Sequence, residues 1–600
     1  MQFLRSHAGF LRILLLTVFI SSLLLPQTYH PVSAQYTPID TGSVLKAGTT
    51  ITVNSILDVI NYTDGLCTLR EAIITANANR GFTAVAGECT SGIGNDHIIL
   101  PAGTFMLTIP AGNGDNQFSG DMDILDDLTI TGAGRVCATP GEKCTIVKQN
   151  IVPAIRIFQI NEGVVVNMSE FGIYSGREDQ GWGGGGIYNA GTLTMDTMIM
   201  VANSANTIGG AIYNTSSGTA TISTVGFANN SAENGGTIAN YGNLTLDQIG
   251  MTLGTASGIG GCIWNAGGNF TIQNAHLSSC SAANGGAIFG SSTISIANVT
   301  IKNSSASTGS GGGIYAYNTT GITNVTFSGN TAGNQGGGIF ADKYARLTLL
   351  NSTLSENTAV NGGGGVAFDG SGDGFLNIKN TINTNNCNGP ITSLGHNIDT
   401  GSTCGFTETG DLQNTNPLLG PLEYGGAEFD THALLTGSPA IDAGDNQGCP
   451  TTDERGIGRP KDGNNDGVAA CDIGAYEYHA PKISVSDVTV TEGNSGENFA
   501  IFTISLDDIS FTSTQVDYQT IVGSAGNTDF DDKADTLTIP AKALSRNVSI
   551  PVYTDLVHEN DEIFYLQISN PVNASLGDSS GVCTIINDDN FKLFLPLLLK

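Results

Sequence analysis

The residues best placed to do chemistry are oxygen donors at a spacing that suits a hard cation. Asp462, Asn464 and Asp466 stand at positions 1, 3 and 5 of Asp462-Gly463-Asn464-Asn465-Asp466-Gly467, with glycine at position 6. The first half of an EF-hand-type loop presents oxygens to Ca²⁺ in this way. Position 12 is Ile473 where such a loop carries glutamate, and this missing ligand favours an ordinary Asp/Asn/Gly turn. A second chemistry is acid–base attack on a polysaccharide. It needs two or three carboxylates together, or clustered acids with a Lys or Arg base. Between 183 and 380 the basic side chains are Lys302, Lys343, Arg346 and Lys379, with His276 beside them. The acids are Asp196, Glu233, Asp247, Asp342, Glu356, Asp369 and Asp373, mostly isolated. Asp342, Lys343 and Arg346 are the best cluster, and a solvated turn explains them more simply. No catalytic set is therefore expected on this stretch.

What must position these groups is a repeat. From Gly183 to about Asn380 the chain writes two glycines, a small residue and an aliphatic residue eight times. The aliphatic members are Ile187, Ile212, Ile238, Ile263, Ile288, Ile314, Ile339 and Val366, 25 to 27 residues apart. A fixed period of this size is the signature of a solenoid. Within a repeat, Phe270-Thr271-Ile272 and Leu347-Thr348-Leu349 alternate with period two, as strands with one inward face do. Three short strands in about 25 residues leave no room for a crossover helix. The chain must coil, each strand stacking on its counterpart in the next repeat, as a parallel β-helix. Asn274, Asn298, Asn324, Asn351 and Asn380 recur after the second strand and should form an amide ladder. The paired glycines suit a turn with positive φ. Tyr188, Tyr213 and Trp264 follow the aliphatic residue and should form an outward stripe.

These GGGIYN-type repeats resemble those of polymorphic outer-membrane proteins and right-handed β-helix surface proteins, over about a third of the chain. The resemblance implies an all-β, right-handed parallel β-helix. Ahead of it, Leu69, Ala72, Ile73 and Ala76 fall at i, i+3, i+4 and i+7 of an amphipathic helix. A solenoid end exposes strand edge and core, so this helix reads as the N-terminal cap. Cys67-Thr-Leu-Arg-Glu-Ala72 also resembles the CSLREA motif of exported bacterial β-helix proteins. After 380 the period is lost. Gly437–Gly444, Asp453–Gly456 and Cys471–Glu477 resemble the "choice-of-anchor" segment that closes such helices. A C-terminal cap over 381–480 is expected.

Residues 481–589 differ again, with few paired glycines and alternating stretches such as Ala500–Leu506 and Val548–Val552. Strands at this spacing suggest a β-sandwich. Val490-Thr-Glu-Gly493, Thr528-Asp-Phe530, Asp555-x₃-Glu559-x-Asp561-Glu562 and Ile586-Asn-Asp-Asp589 resemble the Calx-beta family. That resemblance implies Ca²⁺ at one end of the sandwich, held by Glu492, Asp529, Asp555, Glu559, Asp588 and Asp589. One departure is Val522-Gly-Ser-Ala525, which lacks the acid of the family's Asp-Gly-Thr-Ala turn. It implies fewer or weaker ions.

Composition bounds the partners. The chain has 600 residues and a net charge of −31, which argues against nucleic acid. Arg5 and Arg12 precede the apolar run Ile13–Leu25, and Val32-Ser33-Ala34 offers a cleavage site, so 1–34 reads as a signal peptide. Cap, β-helix, second cap, sandwich and apolar tail then occupy 35–95, 96–380, 381–480, 481–589 and 590–600. No segment is long enough to span a membrane after cleavage. Eleven cysteines in an exported chain read as disulfides plus one. Local spacing pairs Cys67–Cys89, Cys137–Cys144, Cys262–Cys280, Cys387–Cys404 and Cys449–Cys471, leaving Cys583. The functional expectation is a secreted or cell-surface, adhesin-like binding protein with a calcium module. Its partner would be an extracellular polysaccharide or cell-surface ligand. A secreted polysaccharide lyase or hydrolase is the alternative.

Overall fold

The computed structural model describes residues 47–81, 85–110, 118–136, 143–151, 154–424, 430–464 and 466–589. The signal stretch, Cys137 with its expected bond to Cys144, and the 590–600 tail lie outside the described residues. The chain divides into two compact units, 1–415 and 416–600.

The first unit is a stack of parallel ladders: a 23-stranded sheet, an 11-stranded sheet and eight two-residue strands. Ile187, Ile212, Ile238, Ile263, Ile288, Ile314, Ile339 and Val366 pair in one register column. All eight are fully buried, so the repeat is a parallel β-helix with the aliphatic residue inside. The paired glycines have two separate reasons. Gly260 has φ +65, as expected, but Gly261 is needed for room: a Cβ there would lie 2.2 Å from the Gly286 carbonyl of the next coil.

Asn274, Asn298, Asn324, Asn351 and Asn380 all have positive φ, between 43 and 55°, and bend the chain between two arms of the long sheet. Asparagine tolerates this left-handed conformation better than most residues. The expected ladder forms, with Asn298 donating to Asn274 and Asn324 to Asn298 at 3.1 Å. A second ladder is fully buried: Asn189, Asn214 and Asn240 each donate to the next coil's asparagine at 2.7 Å, ending at Asn265. Outside the core, Tyr188, Tyr213, Tyr241 and Trp264 meet edge to face at 5.3, 5.6 and 5.2 Å. Tyr241 fills the place that Ala239 leaves in the register.

Coiling continues past 380. Ile382 pairs with Ile398 and Ile398 with Leu412, so successive coils shorten to 16 and 14 residues (398 − 382 and 412 − 398). The shorter turns drop the paired glycines, and Cys387–Cys404 staples them. At the other end, helix Leu69–Ala78 begins at Thr68, whose hydroxyl and Glu71 form a reciprocal capping box, and stops at left-handed Asn79. An exposed polar face was expected, yet Leu69–Ala76 are all buried. Arg70 is accommodated by Asp58 at 2.6 Å and by the Gly120 and Asp121 carbonyls. Glu71 accepts the Asn61 amide at 2.6 Å. Cys67–Cys89 and Cys262–Cys280 are bonded as expected.

In the second unit, Leu419–Tyr424 and Asp430–Leu434 form an antiparallel pair. Residues up to 480 then wrap a buried ionic knot beside Cys449–Cys471. Arg459 meets Glu477 at 3.3 Å, both side chains fully buried, and Arg455 meets Asp453 at 2.7 Å while lying 3.5 Å over the Tyr476 ring. Burial first, and then Glu477, push Asp472 well above the usual carboxylate range.

The sandwich has two sheets. Lys482–Val485, Asn498–Leu506, Ser545–Val552 and Ser575–Leu576 make one. Val488–Thr491, Thr514–Val522, Ala534–Ile539, Glu562–Val572 and Ser580–Ile586 make the other. Phe502, Phe530 and Phe564 fill the space between, with Phe530 stacked on Phe564 at 4.1 Å. Cys583 is a buried free thiol in this core, and burial pushes it up to about 12.

Candidate metal centre

Register sends the candidate acids to one end of the sandwich. Thr491 pairs with Ile586, so Glu492 and Asp588-Asp589 leave their strands side by side. Glu562 pairs with Ile585 and Val522 with Phe564. The Asp555–Asp561 loop and the Gly523–Asp531 loop therefore reach the same end. Phe530 bridges to Val552 and fixes Asp529 against the first of these loops.

Two groups of three carboxylates result. Glu492, Asp555 and Asp589 offer oxygens within 4.8 Å of one another, as do Asp529, Glu559 and Glu562. Five of the six expected acids, joined by Glu562, thus converge from four separate stretches of chain. Like charges this close disfavour ionisation. Burial, then Asp555, Glu559 and Asp589, push Glu492 up to about 7. Burial, then Asp529, Asp555 and Asp589, raise Glu559, which faces both groups. Burial and then Asp529 raise Glu562. No Lys or Arg side chain among the described residues pairs with any of the six. One carboxylate oxygen of Asp589, Oδ2, is buried without a hydrogen-bond partner.

The backbone holds these acids in place. Asp555 Oδ1 accepts the Val557 amide at 2.7 Å, and Asp529 Oδ2 accepts the Gly526 amide at 2.6 Å. Asn587 donates to Glu492 and to the Val557 carbonyl, both at 3.3 Å. His558 Nδ1 lies 2.8 Å from the Asp589 carbonyl. Three hard oxygen donors per group, uncompensated by cations, are a donor set suited to Ca²⁺ or another hard divalent ion.

The expected set differs in two members. Asp588 stands outside both groups, its carboxylate accepting the Gly493 amide and the Asn494 side chain at 2.9 Å each. Glu562 takes a place instead; its position at the start of a strand at this end of the sandwich, three residues after Glu559, was the available signal.

The Asp462–Gly467 loop is occupied with itself. Asp462 accepts the amides of Asp466 and Gly467, Asn464 accepts that of Asp466, and Asp466 that of Val468. Asp442 binds the Gly463 and Asn464 amides. On the β-helix, Asp342 accepts the Tyr315 hydroxyl at 2.8 Å, while Lys343 lies 5.1 Å over the Tyr344 ring. Arg346 pairs in register with Thr319 and Phe375. The three do not point their groups at one another.

Comparison with known proteins adds two likenesses. The Chlamydia polymorphic membrane protein repeat matches residues 324–342. Among solved structures, the apo Calx CBD1 domain is 30% identical, over 18% of this chain and 99% of that one, with a TM-score of 0.16. CBD12 from CALX1.2 is 28% identical, over 18% and 44%, at 0.17. The calcium binding domain CBD12 of CALX1.1 is 27% identical, over 18% and 45%, also at 0.17. No curated protein matches. The chain is thus similar to a polymorphic membrane protein repeat over residues 324–342 and to Calx calcium-binding domains over 18% of its length. Among the described residues no helix is long and apolar enough to cross a membrane.

Proposed function

We propose that this is a secreted or cell-surface, adhesin-like protein whose coils present a binding face and whose sandwich is a calcium module. The observation that carries the calcium reading is the pair of three-carboxylate groups at one end of the sandwich. Glu492, Asp555 and Asp589 would hold one ion, and Asp529, Glu559 and Glu562 the next. Bound Ca²⁺ neutralises acids that otherwise repel, so it orders four stretches of chain and stabilises the domain by mass action. The surface reading rests on the polymorphic membrane protein repeat at 324–342, the export-type N-terminus and the disulfides. The partner class is an extracellular polysaccharide or another cell-surface ligand.

Calorimetry on the chain from 35 onward tests the calcium reading. Binding at roughly 10⁻⁴–10⁻³ M or tighter, the range of extracellular modules, is expected. Changing Asp555 and Asp589 together to Asn should remove one binding event. A titration without heat, and with no rise in melting temperature, would leave the sandwich a plain spacer.

A further inference from the structure

The carboxylate end of the sandwich also carries apolar side chains that the described residues leave about half exposed. Leu556 and Val557 are 59% and 56% exposed, Tyr553 is 46% and Val522 57%. Single exposed apolar residues are ordinary. Here three of them lie within five residues, in the loop that supplies Asp555 and Glu559. The backbone of that loop is tied down, since the Val557 amide bonds Asp555 and its carbonyl accepts from Asn587. Its side chains are what face outward. The chain leaves the sandwich at the same place: Asp589 of the first carboxylate group is followed at once by Asn590-Phe-Lys-Leu-Phe-Leu-Pro-Leu-Leu-Leu599, an apolar sequence.

We propose that this end docks onto an anionic lipid surface when calcium is bound, an inference that rests on the calcium reading above. The charge argument has two halves. Without cations, six carboxylates repel a negative surface. With them, each group provides three carboxylates to an ion that takes six to eight oxygens. Three carboxylates would leave coordination positions that lipid phosphate oxygens could complete. The apolar argument fits the same surface. A loop that pairs bound cations with exposed aliphatic and aromatic tips matches an interface of charged headgroups over hydrocarbon. Leu556 and Val557 are covalently between two ligand residues, so the tips reach the surface together with the ions. Calcium thereby acts as a switch on adhesion at this end.

Vesicle sedimentation of the chain from 35 onward tests the proposal. Phosphatidylglycerol–phosphatidylcholine vesicles should retain it in millimolar calcium, and neither pure phosphatidylcholine nor EDTA should allow retention. Leu556→Glu with Val557→Glu should weaken retention about tenfold or more, the worth of one buried aliphatic side chain. Its calcium heat should persist. Leu556→Ser with Val557→Ser gives the same readout should the charged pair disturb folding. Calcium heat without vesicle binding overturns the lipid proposal and leaves the calcium reading standing. Absence of calcium heat removes both. Binding in EDTA, or undiminished in both loop variants, assigns retention to the 590–599 sequence alone and overturns the role of the loop. Capture on an acidic polysaccharide with no vesicle binding likewise overturns it.

Discussion

Replacing Glu492 by glutamine should make the calcium-free sandwich more stable at neutral pH, although it exchanges one carboxylate oxygen of a buried side chain for an amide NH2. The reasoning is electrostatic. Burial and three neighbouring acids push Glu492 from 4.5 up to about 7. At about 1.4 kcal/mol per unit this is about 3 kcal/mol against the ionised form. Water around exposed Asp555 screens part of the repulsion, so an effect of about 2 kcal/mol is expected. The sign follows from linkage. A carboxyl whose folded value is raised favours the folded state when protonated, fully below about pH 4.5, and that favour is lost as pH rises through about 7. Glu559 and Glu562, raised in the same direction, add to the slope. Cys583 supplies an assay specific to this domain, since both tryptophans lie in the coils and this buried thiol reacts only when the sandwich opens. Thiol labelling across a denaturant series, normalised at each pH to the unfolded chain, gives the stability in EDTA. The natural chain should weaken from pH 5 to pH 8, and Glu492→Gln should show a smaller decline and exceed it at pH 8. For a domain of this size the gain is roughly 10 °C in melting temperature. Calcium should reverse the order, because the charged carboxylate holds the ion more tightly than the neutral amide oxygen that replaces it. A variant less stable than the natural chain in EDTA at pH 8 would refute the repulsion argument and show the carboxylate to be satisfied by Asn587 instead.

Three further outcomes are expected. Asn240→Ala removes the amide that accepts from Asn214 and donates to Asn265; about 2–4 kcal/mol should be lost in denaturant unfolding of the coils, whereas Asn298→Ala on the outer ladder should cost less than half as much. Arg70→Ala leaves the buried Asp58 carboxylate without its cation, held by the Thr108 and Ile109 amides, so the N-terminal cap should weaken by about 3 kcal/mol and light scattering should show aggregation through the uncovered strand edge. Changing Cys262 and Cys280 together to Ser opens a link of 18 residues and should cost about 3 kcal/mol in the same unfolding assay.

The β-helix was legible because one aliphatic residue per coil repeats at a nearly fixed interval, and Ile187 through Val366 indeed stack. The outer ladder was legible for the same reason. The buried ladder from Asn189 to Asn265 was not singled out, because a polar residue two places after a core isoleucine reads as a strand end until its neighbour coil is seen to accept its amide. The coils past 380 were hidden by their shortening to 16 and 14 residues, which erases the interval that identifies a coil. At the candidate metal centre the motif spacing brought most of the expected acids to one end of the sandwich. It did not separate Asp588 from Asp589, since capture of Asp588 by the Gly493 amide is a three-dimensional event between segments almost a hundred residues apart. Glu562, though part of the Asp555–Glu562 motif, was left out of the expected set; its place beside Asp529 and Glu559 comes from the path of the loop rather than from strand alternation, since the two glutamates stand three residues apart.

The stacking of near-equal coils has a consequence at the level of the gene. Each repeat's aliphatic residue pairs only with its counterparts one coil before and one after, and the glycine of one turn needs room only beneath the carbonyl of the next. A duplication of about 75 bases, one 25-residue period, therefore inserts a complete coil in frame and disturbs neither terminal cap nor the neighbouring register. Unequal recombination between such similar stretches can lengthen or shorten the protein in whole coils, with stability changing by nearest-neighbour increments. Length of the coiled region is thus the trait that lineages carrying this gene can vary most freely, and alleles should differ by multiples of one period before they differ in the carboxylates of the sandwich.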